Sequence, residues 1–115
     1  MTKQATEYYL NETIKSIMEH DPLEIILFGS MAKGTSDESS DLDILVVLDN
    51  DTLPHSYEER MKMRLPLRRS LRKINRQIPI DLLVYTHKEF ELIKEQKSAF
   101  FNEIFETGKI VYEKV

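Results

Sequence analysis

Residues 29–43 read Gly-Ser-Met-Ala-Lys-Gly-Thr-Ser-Asp-Glu-Ser-Ser-Asp-Leu-Asp. In a strand, side chains two residues apart leave the same face, so Asp41 and Asp43 can share cations between them. Magnesium takes hard oxygen ligands, typically one or two carboxylates completed by phosphate oxygens and water. A third carboxylate, Asp81, stands in Ile80-Asp81-Leu82-Leu83-Val84, an otherwise apolar run in which an aspartate is costly unless a metal or partner compensates it. If that run lies beside 42–48, three carboxylates converge. Two cations about 4 Å apart would relieve their repulsion and clamp the attacking and leaving oxygens of an in-line displacement.

The preceding residues suit the other half of that reaction. Gly29 lets the backbone approach a phosphate closely, the amides that follow open a short helix facing the anion, and the Ser30 hydroxyl adds a donor. Lys33 can neutralise part of a triphosphate. The implied chemistry is metal-dependent nucleotidyl transfer with pyrophosphate leaving. Asp41 and Asp43 bind metal, while Asp81 is both a ligand and the acceptor of the nucleophile's proton. Each residue also has an ordinary reading by itself: Asp41 ends a turn, and Asp81 pairs with an arginine from the 60–76 helix.

These groups need elements to hold them. Ile25-Ile26-Leu27-Phe28 and Ile44-Leu45-Val46-Val47-Leu48 are apolar runs on either side of the polar stretch, so 24–28 and 42–48 are expected as buried strands that surface at the site. Leu10, Ile14, Ile17 and Met18 predict an amphipathic helix over 3–20, stopped by Asp21-Pro22. Leu67, Leu71, Ile74 and Ile78 recur at helical spacing from about Ser56 to Gln77, with Pro66 inside to kink or split the helix. A third strand is expected over Ile78 to Tyr85. Thr86-His87-Lys88-Glu89 has capping-box spacing, and Ser98 caps a further helix striped by Phe100, Phe101, Ile104 and Phe105. Gly108 is expected as its left-handed C-cap, followed by a short strand Ile110-Val111-Tyr112. The fold class is α/β (α+β), a small mixed sheet flanked by helices.

The chain has 115 residues, 41% hydrophobic, which suits one domain over 1–115. It has no cysteine, so disulfides and thiolate metal sites are excluded. No apolar N-terminal stretch suggests a signal or a span, and a soluble, cytoplasmic protein without membrane association is expected. The formal charge of −4 argues against a surface that binds nucleic acid throughout. A local exception lies between Arg60 and Arg76, where eight residues are basic and Arg68, Arg72 and Arg76 are spaced by four, opposite the apolar stripe. That stretch is either a solvated helix face or a docking surface for an acidic partner or RNA. His20, His55 and His87 lie far apart without a ligand pattern and are expected in turns or caps. Tyr8, Tyr9 and the Phe100, Phe101 and Phe105 cluster are expected in the core.

Gly29-Ser30, then ten residues, then Asp41-Leu42-Asp43, with Ile80-Asp81-Leu82 downstream, resembles the DNA polymerase beta-type nucleotidyltransferase superfamily. The small size and Phe28-Gly29-Ser30-Met31-Ala32-Lys33-Gly34 resemble, more narrowly, the minimal nucleotidyltransferase (MNT) domain proteins, over nearly the whole chain. This resemblance implies a polymerase beta-like fold, two Mg2+ ions and ATP as substrate. It further implies an antitoxin that transfers AMP to a tyrosine of a HEPN ribonuclease toxin, a protein adenylyltransferase acting within a hetero-oligomer. Larger relatives carry an acceptor-binding domain, so here the acceptor is expected to be gripped by this small domain or to arrive attached to a partner protein, which favours a protein substrate. The alternatives are a stoichiometric binding antitoxin without essential catalysis, and AMP transfer to a small molecule such as an aminoglycoside.

Overall fold

A computed structural model describes residues 3–33 and 41–115. Among the described residues ten elements follow one another: α1 (Lys3–Met18), β1 (Pro22–Phe28), α2 (Gly29–Lys33), β2 (Leu42–Leu48), α3 (Tyr57–Ser70), α4 (Arg72–Gln77), β3 (Ile80–Thr86), α5 (His87–Gln96), α6 (Ala99–Thr107) and β4 (Lys109–Glu113). The four strands form one mixed sheet in the order β3-β2-β1-β4. β1 runs antiparallel to β2 and β4, and β2 runs parallel to β3.

Alternation along β2 divides the core in two. Leu42, Ile44, Val46 and Leu48 pack on one face with Ile17, Leu67 and Leu71 from α1, α3 and the turn that follows it. Leu45 and Val47 pack on the other with Phe90 and Ile104 from α5 and α6. β1 and β2 are covered on both faces, and their continuous aliphatic runs are the pattern that such burial selects. Each fully buried aliphatic side chain contributes about 2 kcal/mol through removal from water. Among the described residues, no helix is long and apolar enough to cross a membrane.

Local signals explain most boundaries. Ser56 caps α3 by accepting from the Glu59 amide, and Ser98 caps α6 by accepting from the Phe101 amide. Thr86 and Glu89 form the reciprocal capping box at α5. Glu89 is buried and also takes an ion pair from Arg60 of α3, tying the two sheet faces together at the edge strand β3.

Several expectations need correction. Of the two effects expected of Pro66, splitting does not occur there: α3 runs through it to Ser70, and the interruption comes at Leu71 (φ −94°, ψ 0°). Pro66 is exposed, so water can satisfy the carbonyl that its missing amide leaves free. Leu71 is instead fixed by burial beside Leu67. β3 starts at Ile80, because Ile78 still caps α4 through the Ile74 carbonyl, and sheet pairing begins where the Leu42 amide donates to Pro79 O at 2.9 Å. Gly108 is extended (φ −73°, ψ 161°), not left-handed. It is small because a β-carbon there would meet Ile104 O at 2.4 Å and Ile26 Cγ2 at 3.0 Å. The aromatic residues are less buried than expected: Tyr8 is 59% exposed and Phe100 54%.

Candidate active site

The sheet register places the site. Phe28 of β1 pairs with Asp43 of β2, and Asp43 pairs in turn with Asp81 of β3. Because β2 and β3 are parallel, residues at the same height present side chains to the same face. Asp43 therefore follows Leu45 and Val47 onto the α5/α6 side, at the start of its strand, and Asp81 follows Leu83 and Tyr85 onto that side. Asp41 stands two residues before Asp43, just outside β2.

Gly29 ends β1 and opens α2 with φ +72°, a left-handed conformation that side chains disfavour. A β-carbon here would lie 2.1 Å from Asp43 Oδ2, so any side chain would have to displace that carboxylate. Backbone turn and carboxylate are thus fitted to each other. Ser30 follows on α2, half-buried, and Lys33 closes that helix. The motif residue Gly34 and the remainder of the stretch up to Ser40 lie outside the described residues.

The electrostatics agree with a cluster. Asp43 is held above the ordinary carboxylate range, first by partial burial and then by the charges of Asp81 and Asp41. All three carboxylates therefore share one electrostatic neighbourhood, with Asp43 at its centre. Asp41 and Asp81 are exposed. Asp81 was expected to be costly in an apolar strand; β3 is an edge strand and its aspartate reaches solvent, so that cost is small. Among the described residues Asp81 has no arginine partner, and no three acidic or histidine side chains are gathered closely enough to hold an ion together. Asp43 and Asp81 share a register and Asp41 stands just before it, without a closed ligand set, as mutual repulsion favours for like charges. In donor chemistry they suit a hard divalent cation, with Asp43 and Asp81 supplying oxygens on one face and Gly29 leaving Asp43 unobstructed.

Lys33 has a partner that its sequence position does not suggest. Its Nζ lies 2.5 Å from Glu103 Oε1 on α6, seventy residues away. The Lys33 hydrogen bond and charge hold Glu103 below the usual carboxylate range. Phe28, Gly29, Lys33, Phe100 and Glu103 line a cavity of about 170 Å³ next to the Gly29 turn, and Phe100 sets its ring edge-on to Phe28 at 6.4 Å. Neither Glu103 nor Phe100 carries a sequence signal for this place, since α6 reads as an ordinary amphipathic helix. Of the histidines only His20 falls in a turn, where it bonds Ser70 at 2.7 Å; His55 lies just before the Ser56 cap of α3, and His87 is the first residue of α5.

A strand-turn-helix with glycine against an aspartate, a second aspartate beside it in register and a mixed four-stranded sheet agree with a polymerase beta-like nucleotidyltransferase fold. The family model described as polymerase beta, nucleotidyltransferase, matches residues 11–115. The chain belongs to that family. Among solved structures it is similar to a Sulfolobus solfataricus protein described as a candidate nucleotidyltransferase, with TM-score 0.59 and 20% identity over 99% of this chain and 91% of that one. It is also similar to a toxin–antitoxin crystal structure with AMP-PNP, with TM-score 0.53 and 21% identity over 90% of this chain and 73% of that one. No curated protein matches the sequence.

Proposed function

We propose that this protein is an antitoxin that transfers AMP from ATP to a partner protein, most simply a hydroxyl-bearing residue such as a tyrosine of a HEPN-type toxin. The observation that carries the reading is the register of Asp43 with Asp81 beside a glycine that leaves the Asp43 carboxylate open. Family membership supports the reaction class. The likeness to a toxin–antitoxin structure with AMP-PNP supports an adenine nucleotide and a protein partner.

In this reading Asp41, Asp43 and Asp81 hold Mg2+, which when bound neutralises the triphosphate and the developing charge. Gly29 and Ser30 present backbone and hydroxyl donors to the phosphates. Asp81, exposed at the sheet edge, accepts the proton of the acceptor hydroxyl. That oxygen forms the new bond to the α-phosphorus, the bond to the bridging oxygen breaks, and pyrophosphate leaves. Lys33 must exchange Glu103 for phosphate oxygens when ATP arrives.

The test is mass spectrometry of the co-purified partner after incubation with ATP and Mg2+. One or more AMP increments are expected, absent with Asp43→Asn and with Asp81→Asn. A second reading, neutralisation by stoichiometric binding alone, draws on Lys33 being engaged by Glu103 rather than free for phosphate. Neutralisation of the partner by Asp43→Asn, with no label transferred from ATP, would favour that reading.

A further inference from the structure

The basic residues of α3 and α4 divide into two sets. Arg60 is anchored to Glu89 of α5, and Arg64 reaches the Leu82 carbonyl of the edge strand at 3.4 Å, so both are held by neighbouring elements. Arg68, Arg69 and Arg72 do neither: they are exposed, and among the described residues they make no ion pair, in a chain with 20 acidic residues. These three line a cavity of about 280 Å³ whose floor is aliphatic, built from Leu65, Ile80 and Leu82 among others. Leu65 is itself 36% exposed. A merely solvated helix face needs charge but has no reason to keep an aliphatic hollow between the charges.

The hollow also has a position. Ile80 and Leu82 are the two neighbours of Asp81 in β3. They face the α3/α4 side while Asp81 faces the other, and among the described residues no strand pairs with the outer edge of β3. The groove and the proton-accepting carboxylate are therefore separated by the thickness of one edge strand.

We propose that this groove docks an acidic, partly aliphatic segment of the acceptor protein, so that the chain continuing over the β3 edge delivers its hydroxyl to Asp81. The proposal rests on the transferase reading above and names where its acceptor binds. Charge complementarity selects an acidic occupant, and the aliphatic floor selects a polypeptide over a nucleic acid. RNA of equal charge would find no aromatic ring in the groove on which to stack, on a protein whose net charge is −4.

The test is fluorescence anisotropy with three labelled probes: a short peptide of Glu and Leu, the same peptide with Gln for Glu, and a single-stranded oligouridine of equal charge. The Glu/Leu peptide should bind the full chain, weaken as salt rises, and bind roughly tenfold more weakly to the double variant Arg68→Glu/Arg72→Glu. Arg68→Gln/Arg72→Gln should fall between the two, and circular dichroism and melting curves check that each variant is folded. Equal binding of the Gln/Leu peptide, no effect of charge reversal, or tighter binding of oligouridine through the same arginines would each overturn the groove assignment. The two proposals fail separately. AMP labelling of the partner that persists unchanged in Arg68→Glu/Arg72→Glu removes the groove and leaves the transferase. Peptide binding that needs the arginines, without any labelling by the wild-type chain, removes the transferase and leaves the groove.

Discussion

The β-carbon that Gly29 lacks would stand 2.1 Å from Asp43 Oδ2, so the turn after β1 and the first carboxylate of β2 cannot be altered independently. Gly29→Ala carries two penalties. At φ +72° an alanine costs about 1 kcal/mol of backbone strain, which lowers the melting temperature by roughly 5 °C in a domain of this size. The methyl group also pushes the Asp43 carboxylate aside, and a displacement of an ångström in a reacting group can cost about a hundredfold in rate. AMP transfer by the folded variant should fall by about that factor. Full transfer rates in Gly29→Ala would remove this contact from the chemistry.

Asp43 gives a pH-dependent signature without any ligand. Its carboxyl is held above the ordinary range by burial and by Asp81 and Asp41, so the folded chain binds this proton more tightly than the unfolded chain does. Stability therefore falls as pH rises from the ordinary carboxylate range through the raised value. Above that interval the folded protein carries a poorly compensated charge, which Asp43→Asn removes. The variant should melt higher than wild type at pH 7, and the advantage should vanish below the ordinary carboxylate range, where both states are protonated. Melting curves across pH, without divalent cations, measure this. A variant that melts lower at pH 7 would show that Asp43 is compensated in the folded chain.

The site's skeleton was legible because it lies in short-range patterns. Two carboxylates two residues apart, a glycine at a strand end and an aliphatic run on each side suffice to place Gly29, Asp41 and Asp43. Asp81 needed one further assumption, that β3 lies beside β2, and the register supplies it. What escaped depends on packing between distant segments. Nothing in Lys33 or Glu103 signals that they meet, and the exposure of Phe100 cannot be told from a periodicity that also fits a core residue. Gly108 was read from its place after a helix, a position that favours φ > 0, whereas close packing against Ile104 O and Ile26 is what requires it. The continuation of α3 past Pro66 likewise depends on that residue facing water.

The Lys33–Glu103 pair should regulate nucleotide affinity while contributing little to the fold. Both side chains are well exposed, and ion pairs of that kind add little to stability. Glu103→Gln should leave the melting temperature nearly unchanged and tighten binding of Mg-ATP, because Lys33 no longer has to leave a carboxylate. Lys33→Ala should weaken Mg-ATP binding, and adding Glu103→Gln to it should bring no further gain. Calorimetric titration of the two single variants and the double variant decides the matter. Affinity that is unchanged in Lys33→Ala would take Lys33 out of the nucleotide site.

Gly108 offers a test of close packing against conformation. A left-handed C-cap would tolerate asparagine nearly as well as glycine. The extended conformation does not, because any β-carbon at residue 108 meets Ile104 O at 2.4 Å and Ile26 Cγ2 at 3.0 Å. The Gly108 amide also donates to that same Ile104 carbonyl at 2.7 Å, so α6 and β4 cannot separate to make room without losing the bond. Gly108→Ala and Gly108→Asn should both destabilise the chain by about 2 kcal/mol in urea unfolding, the usual cost of forcing extra atoms into a packed region. Wild-type stability in Gly108→Asn alone would mean that the turn is left-handed in solution.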